Sequence, residues 1–179
     1  MPAGGQVREI LGRHGFRPKK RMGQNFLVDP HLPELIVESA ELDGQEGVIE
    51  VGPGLGVLTR LLCRAAGFVL AVEFDPILFR ILKEELAGYS NLTLIQSDVL
   101  AFDFESCLRD RDFRGKAKVV ANLPYYISTP LLFHLLHYRH LFSLWIQMVQ
   151  KEVAERILAA PGSKQYGALS IALQLYTDA

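Results

Sequence analysis

The chain has 179 residues, of which 49% are hydrophobic and 22% charged, and its formal net charge is −1. These values are typical of one globular domain with a sizeable core, and not of a disordered or membrane protein. No apolar run reaches the roughly 18 residues that span a bilayer, and the N-terminal residues lack the apolar core of a signal peptide. We therefore expect a cytoplasmic protein in which Cys63 and Cys107 are buried, unpaired thiols.

Positive charge is concentrated in residues 1–22, where Glu9 is the single acidic side chain. The basic residues there are Arg8, Arg13, Arg17, Lys19, Lys20 and Arg21. Because the whole chain is nearly neutral, the remainder is acidic on balance. A basic arm or helix over 1–22, ahead of a larger domain over 23–179, could contact the phosphates of a nucleic acid. On charge alone, a solvated terminus is an equally good interpretation.

Beyond the arm, a short helix is predicted over residues 30–40, and apolar runs then alternate with longer amphipathic stretches. The runs predict strands at 48–51, 68–72, 92–95, 118–121 and 143–149, each short enough to be buried on both faces. The amphipathic stretches predict helices at 57–65, 76–87, 129–140, 151–159 and 168–176. This alternation predicts an α/β domain with a doubly wound, mostly parallel sheet.

In such a sheet, ligands bind beyond the carboxyl ends of the strands. Gly52, Gly54 and Gly56 follow the first strand and would allow a tight turn with close approach of a ligand to the backbone. Glu73 follows the second strand, where a carboxylate can accept hydrogen bonds from both hydroxyls of a ribose. Asp98 follows the third strand and would either accept a hydrogen bond from an adenine amino group or cap a turn. Each signal is weak alone, but their convergence on one rim predicts a nucleoside site.

The glycine spacing, G-x-G-x-G, differs from that of dinucleotide-binding loops, and no phosphate-binding lysine follows it. These features disfavour a nicotinamide oxidoreductase and a nucleoside triphosphatase. An adenosine that carries a charged thioether and no phosphate fits the predicted site. The sequence therefore indicates S-adenosylmethionine as the cofactor.

The candidate reaction motif is Asn122-Leu123-Pro124-Tyr125, after the fourth strand. The N6 amino group of adenine is a poor nucleophile because its lone pair is delocalised into the ring. An asparagine oxygen and a backbone carbonyl that accept both amino hydrogens would localise the lone pair toward an incoming methyl group. Pro124 would stiffen the turn, and Tyr125 would offer a face on which a base can stack. In isolation such a tetrad favours a loop that closes a strand; its position here favours the catalytic interpretation.

Four segments resemble, in the same order, the signatures of the ribosomal RNA adenine dimethyltransferases. They are residues 19–29 (KKRMGQNFLVD), 51–59 (VGPGLGVLT), 122–130 (NLPYYISTP) and 150–156 (QKEVAER). The resemblance runs from about Arg17 to the last residue. Leu123 and the Gln-Lys-Glu-Val run are more similar to the small-subunit dimethylases than to the antibiotic-resistance methylases of the large subunit, which usually carry isoleucine in the tetrad.

This resemblance implies a Rossmann-like S-adenosylmethionine-dependent methyltransferase that takes part in ribosome biogenesis. It implies dimethylation of N6 on two adjacent adenosines in a hairpin near the 3′ end of small-subunit ribosomal RNA, with the acceptor base flipped out. The acceptor site would be formed by Asn122, Pro124 and Tyr125. Cofactor contacts would come from Gln24, Asn25, Leu27, Gly52, Gly54, Gly56, Glu73, Asp98, Val99 and Asn122. RNA contacts would come from Arg17, Lys19, Lys20 and Arg21, and no metal is expected.

Members of this family continue beyond the point at which the chain stops, with two more strands and a small helical domain that contributes RNA contacts. We therefore expect a sheet truncated after about five strands. The strand at 143–149 would then lie at an edge with its apolar faces uncovered, and such an edge favours self-association.

Other functions share parts of this pattern. A large-subunit adenine methylase of the antibiotic-resistance type has similar motifs, and a DNA adenine methylase performs the same chemistry. A non-catalytic ribosome-assembly or transcription factor could keep the fold without the reaction. Only the family-specific segments favour a small-subunit RNA dimethylase over these alternatives.

Overall fold

The computed structural model describes residues 3–18, 29, 31–111, 113–122 and 125–178, with the backbone alone at residues 3, 4, 6, 125 and 126. The strands in these ranges are β1 (Gly47–Val51), β2 (Phe68–Glu73), β3 (Leu92–Gln96), β4 (Ala117–Asn122) and β5 (Phe142–Met148). The α-helices are α1 (Ala3–Arg13), α2 (His31–Ser39), α3 (Val57–Ala65), α4 (Pro76–Glu85), α5 (Phe104–Arg109), α6 (Tyr125–His137), α7 (Lys151–Ile157) and α8 (Ala168–Tyr176). None of these described helices is long and apolar enough to cross a membrane.

All five strands run parallel in the order β3-β2-β1-β4-β5. The chain therefore builds one half of the sheet outward from β1 and then crosses over to build the other half. Val51, at the end of β1, pairs with Val72 on β2 and with Ala121 on β4. The predicted doubly wound sheet is confirmed, and every strand begins and ends within one residue of the predicted position.

Successive side chains of a strand point to opposite faces of the sheet, so the core has two layers. Ile49 packs with α5 and α6 on one face, and Val48 packs with α2 and α3 on the other. Both layers cover strands that are largely apolar, as a sheet between two helical layers requires. Cys107 lies in the first layer and Cys63 in the second, and both are buried free thiols, as predicted.

Two helices differ from the prediction. α6 begins at Tyr125, four residues before the predicted start, so that Pro130 lies inside the helix instead of in its first turn. Burial of Leu131 against the sheet fixes the helix there in spite of the proline. α5 was not predicted, because six residues are too few to show a helical period. Its start is fixed by Asp103, whose side chain accepts a hydrogen bond from the N–H of Ser106 at 3.1 Å.

The N-terminal segment forms helix α1, which packs against the rest of the domain. Val7 and Ile10 are 3% and 2% exposed, and together with Phe16 they contact Leu55 and Leu78. Residues 3–16 are therefore not a solvated terminus, which was one of the two interpretations of the basic segment. The boundary predicted after residue 22 lies outside the described residues.

β5 lies at an edge of the sheet, as predicted. The expectation that its apolar faces are uncovered is wrong. Trp145 packs with Leu169 and Leu173 of α8 on one face, and Ile146 and Met148 pack against the second core layer on the other. α8 is nevertheless apolar on its other side as well. The exposed apolar side chains of this region are Leu158, Ile171, Leu175 and Tyr176.

Candidate active site

The carboxyl ends of the strands meet along one rim of the sheet, and the predicted site residues lie on it. Because neighbouring strands are paired in register to their ends, Gly52, Glu73 and Asn122 lie on the same side of the molecule. The N–H of Gly52 donates to the carbonyl of Val72 at 3.0 Å, which joins the start of the glycine loop to β2. Asp98 follows the end of β3 by two residues. The predicted convergence of strand ends is therefore confirmed.

The glycine loop has a backbone conformation that favours glycine at all three positions. Gly52, Gly54 and Gly56 have φ angles of 70°, 61° and 75°, in the left-handed region. A Cβ added to Gly56 would lie 3.0 Å from Leu82 Cδ2 and 3.1 Å from Leu86 Cδ1, so α4 packs directly beneath the loop. α3 begins at the next residue, and its free N–H groups point toward the rim.

Glu73 fastens the glycine loop to the end of β2. It is 6% exposed; Oε2 accepts a hydrogen bond from the N–H of Gly54 at 3.1 Å, and Oε1 accepts one from the N–H of Asp75 at 2.8 Å. Burial raises the pKa of the Glu73 carboxyl, while the two N–H donors act in the opposite direction. The acid predicted to bind a ribose is thus on the rim and already orders the backbone of the loop.

Glu50 is a second buried acid that the sequence analysis did not single out. It lies on β1, is 2% exposed, and points toward α3, as alternation along the strand requires. The hydroxyl of Thr59 on α3 lies against its carboxyl. Burial raises the pKa of the Glu50 carboxyl to about 8; the Thr59 hydroxyl opposes this rise and the charge of Glu73 adds to it. The signal in the sequence is an acidic residue inside the apolar run V-I-E-V, directly before the glycines.

Asp98 acts as a cap, which was the alternative interpretation of this residue. Its Oδ1 accepts a hydrogen bond from the N–H of Leu100 at 3.0 Å and so starts the short 3-10 turn at Val99–Ala101. Asp98 is exposed, whereas Val99 is 5% exposed and packs in the core. Capping and contact with a ligand do not exclude one another, because a carboxylate has several acceptor positions.

Phe74 is a rim residue that was also missed. It follows Glu73 directly, at the point where β2 ends, and it is 57% exposed. An aromatic ring of this exposure at a strand end is not explained by core packing, and it offers a flat apolar surface beside the buried acid. The signal in the sequence is an aromatic residue between two carboxylates, Glu73 and Asp75.

Asn122 ends β4 opposite Met148 of β5, and its side chain is half-buried. Leu123 and Pro124 lie outside the described residues, and Tyr125 starts α6. Two polar side chains lie beneath this part of the rim, Ser128 on α6 and Gln147 on β5. The Ser128 hydroxyl and both amide atoms of Gln147 are buried, and they make no hydrogen bond to any part of the chain that is described.

Part of the predicted site cannot be placed. Gln24, Asn25 and Leu27 lie outside the described residues, as do Lys19, Lys20 and Arg21, whereas Arg17 is described and exposed. Helices α1 and α2 flank this segment on either side in the sequence. In residues 3–18, 29, 31–111, 113–122 and 125–178, no group of three or more His, Cys, Asp or Glu side chains is arranged to hold a metal ion.

Comparison with known proteins agrees with the geometry of the rim. Residues 15–179 match the family described as Ribosomal RNA adenine dimethylase. The chain belongs to this family. It is 49% identical over 171 residues to the ribosomal RNA small subunit methyltransferase A of Shouchella clausii, covering 95% of the chain and 58% of that relative. It covers 60% of the corresponding protein of Lactococcus lactis. The chain therefore spans about 60% of the length of the curated relatives it matches.

Solved structures give the same result for the fold. A dimethyladenosine transferase from Plasmodium falciparum superposes with a TM-score of 0.71 at 32% identity, over 82% of this chain and 51% of that one. The 23S rRNA methyltransferase ErmE superposes with a TM-score of 0.63 at 30% identity, over 74% of this chain and 50% of that one. These matches confirm the predicted family and the predicted Rossmann-like methyltransferase fold.

Proposed function

We propose that this chain contains the cofactor-binding and methyl-transfer region of a dimethyltransferase that acts on N6 of adenosines in small-subunit ribosomal RNA. One observation carries the proposal: the glycine loop, fastened to Glu73 through Gly54, shares a rim with Asn122 at the end of β4. A nucleoside cofactor and an adenine amino group would therefore bind side by side. Family membership and the names of the relatives support this substrate and a role in ribosome biogenesis.

The described residues fit S-adenosylmethionine. Glycines with positive φ let a ligand approach the loop backbone, and the carboxyl group of Glu73, which already accepts the N–H of Gly54, would accept hydrogen bonds from ribose hydroxyls. Phe74 would cover one face of the adenine ring, and Asp98 would accept a hydrogen bond from its amino group. When bound, S-adenosylmethionine supplies an electrophilic methyl group on a sulfonium.

The acceptor base would be held by the residues that follow β4. The side-chain oxygen of Asn122 would accept one amino hydrogen of adenine, and a backbone carbonyl of the following loop would accept the other. The nitrogen lone pair then points toward the methyl group, and alignment of the reacting atoms accounts for most of the rate. Pro124 would stiffen this loop, and Tyr125 would stack on the base.

RNA would be held by basic residues ahead of the catalytic rim. Arg17 is exposed, and only Pro18 separates it from the basic run Lys19, Lys20 and Arg21 in the sequence. Such residues contribute affinity through phosphates and make it depend on salt concentration. A protein with this substrate would act in the cytoplasm, free of metal, and the edge strand β5 would favour self-association.

A methyl-transfer assay tests the proposal. Small ribosomal subunits that lack these methyl groups are incubated with the chain and S-adenosylmethionine, and the digested nucleosides are analysed by mass spectrometry. We expect N6,N6-dimethyladenosine with the wild type and its loss with Asn122→Ala at unchanged RNA affinity. Gln96→Ala, which alters the exposed polar residue at the end of β3, is the matched control and should remain active. A variant Asn122→Ala that keeps full activity would rule out this assignment.

A large-subunit adenine methylase is the second candidate, because ErmE superposes on most of this chain. The same assay separates the two functions when it is repeated with large-subunit RNA. Product on large-subunit RNA alone would favour the second candidate. RNA binding without product on either RNA, unchanged by Asn122→Ala, would favour a non-catalytic assembly factor.

A further inference from the structure

One nearly buried carboxylate, Glu85 at the end of α4, joins three helices. Its Oε1 accepts a hydrogen bond from Arg13 Nη1 at 2.6 Å and lies 3.0 Å from His14 Nε2, at the end of α1. Its Oε2 accepts a hydrogen bond from Arg60 Nη2 of α3 at 3.0 Å, and its backbone oxygen accepts one from Arg60 Nη1 at 2.9 Å. The Glu85 side chain is 10% exposed and that of Arg60 15%. Charge-assisted contacts with so little water around them are stronger than surface ion pairs.

The helix that Glu85 holds in place covers the glycine loop. Leu55, between the second and third glycines, is 1% exposed because α1 and α4 enclose it. Val7 and Ile10 supply the contacts from α1, and Ile81 supplies one from α4. The loop is therefore held by apolar contacts, with α4 on one side of Leu55 and the N-terminal helix α1 on the other. That helix is attached to the domain by this cluster and by the ion pairs of Glu85.

We propose that Glu85 is a positioning residue for the cofactor site, which acts by keeping α1 on Leu55 and thereby the glycine loop in its binding conformation. This inference rests on the proposed function, because it assigns Glu85 a role in binding the same cofactor. Loss of the Glu85 charge would leave the nearly buried guanidinium of Arg60 without its counter-charge and would release the end of α1. The fraction of molecules with an ordered loop then falls, and the apparent Kd for the cofactor rises by the reciprocal of that fraction.

Calorimetric titration with S-adenosylmethionine tests this role. We expect Glu85→Gln to weaken binding about tenfold, which corresponds to an ordered loop in about a tenth of the molecules. Arg13→Gln removes one of the three side chains that contact the Glu85 carboxylate and should weaken binding less, because Arg13 also binds Glu9 and is 53% exposed. Glu38→Gln is the matched control: Glu38 is an exposed acid on α2, outside this cluster, and binding should not change. In steady-state assays the change should appear in KM for the cofactor and leave kcat unaltered.

A general loss of stability is excluded by a variant on the other face of the sheet. Leu108→Ala removes a 5% exposed core side chain of α5 and should lower Tm without weakening cofactor binding. Equal weakening by Leu108→Ala, or wild-type affinity in Glu85→Gln, would overturn the inference. Amide hydrogen exchange without cofactor gives a separate readout, in which Glu85→Gln should speed exchange in α1 and around Leu55. The two proposals can fail separately. Faster amide exchange in Glu85→Gln, together with no cofactor binding by the wild type, would refute the proposed function and still show that Glu85 orders α1 and the glycine loop.

Discussion

Replacing Glu50 with glutamine is expected to stabilise the protein at neutral pH and to remove a pH dependence from its stability. Burial, reinforced by the charge of Glu73, raises the pKa of the Glu50 carboxyl from 4.5 to about 8. Between these two pH values the folded protein keeps a proton that the unfolded chain has released. Stability therefore falls as the pH rises through this window, and the loss is complete above about pH 8.

The loss of stability follows from the difference between the pKa of Glu50 in the unfolded chain and the pH of the measurement. At about pH 7 this difference is roughly 2.5 units, and at about 1.4 kcal/mol per unit the buried acid costs about 3 kcal/mol. Glutamine has nearly the shape of the neutral acid and does not titrate. The two proteins should therefore be about equally stable near pH 4.5 and differ by about 3 kcal/mol at pH 7.

Urea unfolding at a series of pH values measures this difference. Trp145, the single tryptophan of the chain, packs against the core and gives the fluorescence signal. Contributions from titrating groups that do not interact with Glu50 cancel when the stability of the wild type is subtracted from that of Glu50→Gln. Glu38→Gln, on the exposed face of α2, is the control and should follow the wild type. Parallel stability curves for wild type and Glu50→Gln would refute the reasoning, because Glu50 would then be ionised in the folded protein.

Two further predictions concern the packing around the sheet. Gly56→Ala should lower the free energy of unfolding by about 1–2 kcal/mol because of its left-handed φ alone. It should also weaken cofactor binding, since the new Cβ would lie 3.0 Å from Leu82. An unchanged Tm in calorimetry would contradict this prediction. Lys118→Met should raise the pKa of the Glu46 carboxyl above its wild-type value of about 2. The stability of the variant should therefore fall less than that of the wild type as the pH drops from 4.5 to about 2. The pKa should stay below its ordinary value, because the N–H of Asp43 lowers it most; carboxyl titration by NMR would show this.

The sheet and its rim were predictable because they depend on local patterns. Each strand is an apolar run bounded by turn residues, and parallel strands must bring their carboxyl ends to one side. Gly52 and Glu73 followed from that rule without any knowledge of packing. The same rule does not predict hydrogen-bond partners: Asp98 lies on the rim, but its Oδ1 caps a turn.

What the sequence did not reveal depends on contacts between distant residues. The arginines near the N-terminus gave a charge count but no partner, whereas Arg13 binds Glu85, which is 72 residues away. The packing of α1 against Leu55 likewise leaves no periodic pattern in the sequence, because it depends on how the helices around the glycine loop are placed relative to one another. Glu50 was overlooked although it interrupts an apolar run, because the burial of its carboxyl depends on the packing of α3 over β1.

Glu50 and Glu73 together explain how the loop can be ordered before any ligand binds. A carboxylate has about four acceptor positions, and Glu73 directs some of them to the backbone N–H groups of Gly54, Asp75 and Phe74. The remaining acceptor capacity can serve a ribose hydroxyl without breaking the contact with the loop. Because Glu50 keeps its proton at neutral pH, it adds no negative charge to the surroundings of Glu73. The rim therefore holds a carboxyl acceptor next to an ordered glycine loop, which is the arrangement that a nucleoside without phosphates requires.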